Sequence, residues 1–106
     1  MDSATLSGYL DLIEEQGYCI VKNAIDQDLL EEVRNSVTQL EKEHDVQPRG
    51  NRAEGFATKR MYNLLAKDRV FWKLPVHHNV LPFAEHLLDE ECLLSGTTCM
   101  HIGPGE

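Results

Sequence analysis

Asp26 stands immediately before an apolar stripe, Leu29, Leu30, Val33, Val37 and Leu40, whose spacing is one face of a helix. A short acidic side chain there accepts a hydrogen bond from the first free amides. Asp28, Glu31 and Glu32 add negative charge where the helix dipole favours it. The spacing predicts a helix from about Gln27 to His44, with Arg34, Gln39, Glu41 and Lys42 turned to solvent. Such a helix is stable only when another element covers its stripe, so the remaining residues must supply a second layer.

Those residues read as a mixture of helix and strand. Leu6, Tyr9, Leu10 and Ile13 predict a shorter amphipathic helix, capped by Ser3 or Thr5 and stopped by Gly17. The run Tyr18, Cys19, Ile20 and Val21 is rich in strand formers and predicts a buried strand. Residues 46–58 hold Pro48, Gly50 and Gly55 among charged residues, with no hydrophobic period, which predicts a mobile loop. A strand over 59–65 follows, with Arg60, Tyr62 and Leu64 on one face. Residues 68–74 predict a short helix carrying Phe71 and Trp72, stopped by Pro75. Asn79 is then expected to cap a helix that turns Val80, Phe83, Ala84, Leu87 and Leu88 to the core, with Pro82 in its first turn. Residues 92–102 alternate: Leu94, Thr98, Met100 and Ile102 on a core face, Ser95, Thr97, Cys99 and His101 on a polar face. Gly103, Pro104, Gly105 and Glu106 then spell a turn. The sum is an α+β domain.

At 106 residues the chain has the length of one domain. Its net charge of −8 argues against nucleic acid or an anionic membrane surface as partner, since both need a basic footprint. No apolar run is long enough for a membrane span, and the first residues lack the pattern of a signal peptide. Cys19, Cys92 and Cys99 form no CxxC pair and are odd in number, which fits ordinary thiols in the reducing cytoplasm.

The chemistry-bearing residues form no complete catalytic set. There is no phosphate-binding glycine loop and no nucleophile elbow. A two-histidine, one-carboxylate iron site begins most compactly with His-x-Asp on a strand, and none of the five histidines makes it. His44 and Asp45 are adjacent and point apart. His86 and Asp89 are spaced to share a metal on a helix but have no third ligand nearby, and His77 and His78 read as polar loop residues. Lys59 or Arg60 offers a cation for one carboxylate, with plain surface solvation as the alternative.

The order of the motifs resembles the N-terminal portion of the phytanoyl-CoA dioxygenase family, which uses non-haem iron and 2-oxoglutarate. The residues that carry the resemblance are Gly17–Val21 with Asn23 and the Asp26 helix, the run Lys59 to Leu64, Leu93 to Thr98, and Ile102 to Glu106. It spans the chain from about Leu6. It implies N-terminal helices and the first strands of a double-stranded β-helix, a jelly-roll or cupin-like fold, cut before the barrel is complete. In that family the Pro-Gly turn leads to the strand bearing His-x-Asp, and a second histidine and a 2-oxoglutarate-gripping arginine come later. The resemblance therefore implies that all three Fe(II) ligands lie beyond Glu106 and that residues 1–106 hold no metal triad and no turnover. A basic residue near Lys59 and Arg60 is similar in placement to one that contacts 2-oxoglutarate in relatives. Alternation lets only one of them face inward; Arg60 is the first expectation, Lys59 the second. Ser95, Thr97 and His101 are expected at the cavity mouth. The full-length protein would hydroxylate a small organic substrate. The alternative from another class is a small non-catalytic α+β binding or interaction module.

Overall fold

The computed structural model describes residues 1–106 as an α+β domain of three helices and one two-stranded antiparallel sheet. Helix α1, Ser3–Gln16, starts at Asp2, whose carboxylate accepts from the Thr5 amide at 2.8 Å. Asp2, rather than the expected Ser3 or Thr5, is thus the cap; Thr5 supplies the amide it satisfies. Gly17 ends the helix as expected, at φ 86° with its N–H donated to the Ile13 carbonyl. No α1 residue is fully buried, and Tyr9 meets Phe83 with ring centroids 6.1 Å apart.

The expected strand at 18–21 is absent, and Ile20 is 70 % exposed. An apolar run becomes a strand only by pairing with a neighbour, and the one sheet present is built from other residues.

Helix α2, Gln27–Glu43, follows the sequence expectation to within a residue. Asp26 Oδ1 accepts from the Leu29 amide at 2.8 Å, and His44 closes the helix. Its stripe supplies one side of the core: Leu29 and Leu40 are buried with Met61, Leu64, Val70 and Phe71, while Val33 and Val37 pack at the edge. Leu64, Val70 and Phe71 come from two 3₁₀ turns, Leu64–Ala66 and Arg69–Lys73. The second stands where a short helix was expected. Asp68 caps it by accepting from the Val70 amide at 3.0 Å.

The same carboxylate accepts the buried Ser36 hydroxyl at 2.6 Å, joining α2 to this turn. First the Ser36 hydroxyl and then the Val70 amide hold the Asp68 carboxyl below its ordinary value. A carboxyl depressed in the folded state contributes stability that is complete above its unfolded value and is lost as pH falls through the folded one. Ser36→Ala removes the larger cause. Its melting temperature should therefore fall less steeply than wild type as pH drops below about 4. Parallel melting-temperature profiles for the two proteins would remove this link.

Strand β1, Lys59–Met61, pairs antiparallel with β2, Cys99–His101, in the register Lys59 with His101, Arg60 with Met100 and Met61 with Cys99. Both strands are shorter than expected. Asn63 adopts a left-handed φ of 55° and turns the chain out of β1 into the first 3₁₀ turn. Residues 92–98 lie outside the ladder. The faces of the last segment are also reversed. Cys99 packs against the core opposite buried Met61, while Met100 and Ile102 are exposed. Both parities of this segment carry apolar groups, so its alternation does not say which parity turns inward.

Helix α3, Leu81–Leu87, has Pro82 in its first turn but no side-chain cap. Asn79, expected to cap it, instead donates from Nδ2 to the Ala24 carbonyl at 2.7 Å, tying the α3 entrance to the segment before α2. Phe83 and Ala84 are half-buried, whereas Val80, Leu87 and Leu88 are exposed because no further element covers them. Within the loop at 46–58, residues 50–55 form a hydrogen-bonded turn. Asn51 Oδ1 accepts from the Ala53 and Glu54 amides, and Gly55 donates to the Asn51 carbonyl at 2.8 Å. No helix is long and apolar enough to cross a membrane.

Candidate functional site

Side chains on a strand alternate between faces, and directly opposed residues of a pair share one. Buried Met61, core-packed Cys99 and His101, which reaches Glu41 of α2, define the helix-covered face. Lys59, opposite His101, belongs to that face. Arg60 and Met100 therefore occupy the other one, turned away from α2. The two basic residues singled out by sequence are thus separated, and Arg60 holds the uncovered face.

Arg60 Nε donates to the Glu54 carbonyl at 3.0 Å, and Nη1 lies 3.2 Å from Met100 Sδ. A guanidinium has five N–H donors, and a thioether is a weak acceptor. The fork of Arg60 is accordingly oriented by the 50–55 turn yet keeps donors for a planar anion such as a carboxylate. Glu54 does not neutralise it: its carboxylate accepts from Tyr62 Oη at 3.3 Å and lies 3.6 Å from Arg49 Nε.

The three residues expected at a cavity mouth are not brought together. His101 Nδ1 lies 2.7 Å from Glu41 Oε1 on the α2 side. Thr97 Oγ1 is buried without a partner, while its carbonyl accepts from the Leu64 amide at 3.2 Å. Ser95 lines an apolar groove. The cause is the short ladder: with pairing confined to 99–101, residues 95 and 97 do not continue the face of His101. Glu41, expected in solvent, is mostly covered, with His101 of β2 against its carboxylate. Burial first, and the Glu41 carboxylate second, push the Cys99 thiol up, so it is a poor nucleophile.

No three His, Cys, Asp or Glu side chains converge as a metal site. Helix α3 ends at Leu87, so His86 and Asp89 do not share a helical face. His77 and His78 stack at 4.4 Å, and His77 Nδ1 accepts from the Asn79 amide. The residues of this chain do not fit a facial iron triad.

Sequence reasoning missed the apolar groove, of about 690 Å³, that runs between the second 3₁₀ turn, α3 and residues 92–96. Trp72, Val80, Leu81, Ala84, Leu88 and Leu93 are among its walls. The signal in the sequence is the adjacent leucine pairs at 87–88 and 93–94, more apolar surface than one helix face or one strand face buries. No protein-family model matches the chain, and neither the curated proteins nor the solved structures contain a significant match to it.

Proposed function

We propose that the chain is the N-terminal portion of an iron- and 2-oxoglutarate-dependent dioxygenase of the phytanoyl-CoA dioxygenase type. The observation that carries this reading is Arg60 on the sheet face opposite α2, with part of its guanidinium uncommitted. On this reading α1 and α2 are the supporting layer, and β1 and β2 are the first strands of a double-stranded β-helix whose interior is the Arg60 face. The strand with His-x-Asp follows the turn at 103–106. Iron and 2-oxoglutarate supply the oxidative chemistry when bound, and the protein binds and orients them. The contribution of these residues is positional. The 50–55 turn fixes Arg60 through the Glu54 carbonyl, and Arg60 pairs with one cosubstrate carboxylate. The full-length protein hydroxylates a small organic substrate. It resides in the cytoplasm, where three free thiols stay reduced.

The test is calorimetric titration of 2-oxoglutarate into the full-length protein. Arg60→Ala should weaken binding about tenfold or more, the scale of one charge-assisted hydrogen bond. Lys59→Ala, on the helix side, should change it by less than about twofold. Equal affinity in wild type and Arg60→Ala removes Arg60 from the site, and no binding by wild type removes the oxygenase reading.

One observation favours a second reading, a non-catalytic interaction module: the exposed apolar groove beside Trp72 and Leu88. The coding sequence after Glu106 separates the two, since a following His-x-Asp supports the oxygenase and a stop codon supports the module.

A further inference from the structure

Met100 is the cross-strand partner of Arg60, is 55 % exposed, and holds its sulfur 3.2 Å from the Arg60 guanidinium. Of the other two methionines, Met61 is sealed in the core at 4 % exposure, and Met1 is remote in sequence from any cation of the sheet. A thioether is a poor acceptor, whereas the oxygen of a sulfoxide is polar and accepts strongly from N–H donors. We infer that Met100 is a reversible oxidation site whose sulfoxide captures the Arg60 guanidinium and withdraws it from anionic ligands.

The oxidant is a hydroperoxide. The Met100 sulfur attacks one oxygen of hydrogen peroxide, the O–O bond breaks, and an S–O bond forms. The second oxygen departs as hydroxide and takes the proton of the transferred oxygen to become water, with sulfur oxidised by two electrons and the peroxide reduced by two. Little rearrangement is needed, because the sulfur already lies against Nη1. The new acceptor competes with a ligand carboxylate for the same fork. Reduction by a methionine sulfoxide reductase restores the thioether.

The ligand-binding half of this inference rests on the oxygenase reading; the capture of Arg60 does not. The experiment therefore has two arms on the full-length protein. In the first, limited hydrogen peroxide is added, oxidation is located by peptide mass mapping, and the Arg60 Nε–Hε resonance is followed. Met100 should gain one oxygen before Met61, and the Arg60 resonance should shift and exchange more slowly with solvent. Sulfoxide reductase should reverse both changes. In the second, 2-oxoglutarate is titrated before and after peroxide. Oxidation should weaken binding about tenfold, and Met100→Gln, which carries an amide oxygen at similar reach, should do so without peroxide. Met100→Leu keeps Met1 and all three cysteines, so any peroxide effect that persists in it belongs to those groups and overturns the assignment to Met100. An unchanged Arg60 resonance in protein oxidised at Met100 overturns the capture. If wild type never binds 2-oxoglutarate, the oxygenase reading fails, and the resonance arm still decides the oxidation site.

Discussion

Phe71→Ala should remove most of the protein's stability. Phe71 is the one side chain sealed completely in the core, at 1 % exposure, and it sits where the second 3₁₀ turn packs against α2. Removing a buried phenylalanine costs about 3–5 kcal/mol, partly in lost transfer energy and partly in the cavity left behind. Domains have only about 5–15 kcal/mol to lose. This one has just six buried apolar residues, so it stands near the lower end. The melting temperature should fall by at least about 12 °C, given roughly 4–8 °C per kcal/mol for a domain of this size. Phe71→Leu keeps most of the volume and should cost about 1.5 kcal/mol or less. Trp72→Ala is the informative contrast. Trp72 is exposed, bonded through Nε1 to the Leu65 carbonyl at 2.6 Å and covered by Arg69 at 5.5 Å, so its loss should be milder. Thermal melts of the three variants check the ranking, and Trp72→Ala falling further than Phe71→Ala would overturn this assignment of the core.

That contrast also shows where sequence reading stops. Phe71 and Trp72 are adjacent aromatic residues, and nothing local says which one turns inward; the packing of α2 decides it. Helix α2 was legible because its determinants are local: Asp26 satisfies an amide three residues on, and the stripe repeats within the helix itself. The strands were legible only as places. Their ends depend on Asn63, whose left-handed backbone breaks β1, and their faces depend on a partner about forty residues away. Glu41 illustrates the same limit. Helical spacing puts it off the apolar stripe, yet His101, sixty residues later, covers it. For the candidate site, alternation told that Lys59 and Arg60 part ways. Which of them meets the open face follows from the side on which α2 lies, and that is a tertiary fact. The stripe of α3 misled for the opposite reason: its periodicity is real, but α1 covers it only around Phe83, and Val80, Leu87 and Leu88 stay exposed.

Gly103→Ala should destabilise the protein by about 3 kcal/mol, the upper part of the range for forcing extra volume into a filled space. A β-carbon at Gly103 would stand 2.6 Å from the Ala57 carbonyl oxygen and 2.9 Å from the Ala57 β-carbon. Neither atom can swing aside as a long side chain would, so the backbone of the turn or of the loop must move. The turn is closed by the Glu106 amide donating to the Gly103 carbonyl at 3.3 Å. It lies over a loop whose own Gly55, at φ 91°, leaves no room for a side chain beneath Glu106 and beside buried Thr58. Displacing it loosens the segment that leads directly into β1. Gly96→Ala is the control, since its β-carbon would meet open space and its backbone is not left-handed. It should be neutral, or slightly stabilising through the unfolded chain. Melting curves of the two variants, with amide exchange at residues 59–61, make the comparison. If Gly103→Ala melts together with Gly96→Ala, the turn is not packed on Ala57. The consequence reaches the proposed function, because on the oxygenase reading this turn aims the strand that carries the first iron ligands. A shift that leaves Arg60 in place would then lower iron retention in the full-length protein while sparing 2-oxoglutarate affinity, so the two readouts separate aim from binding.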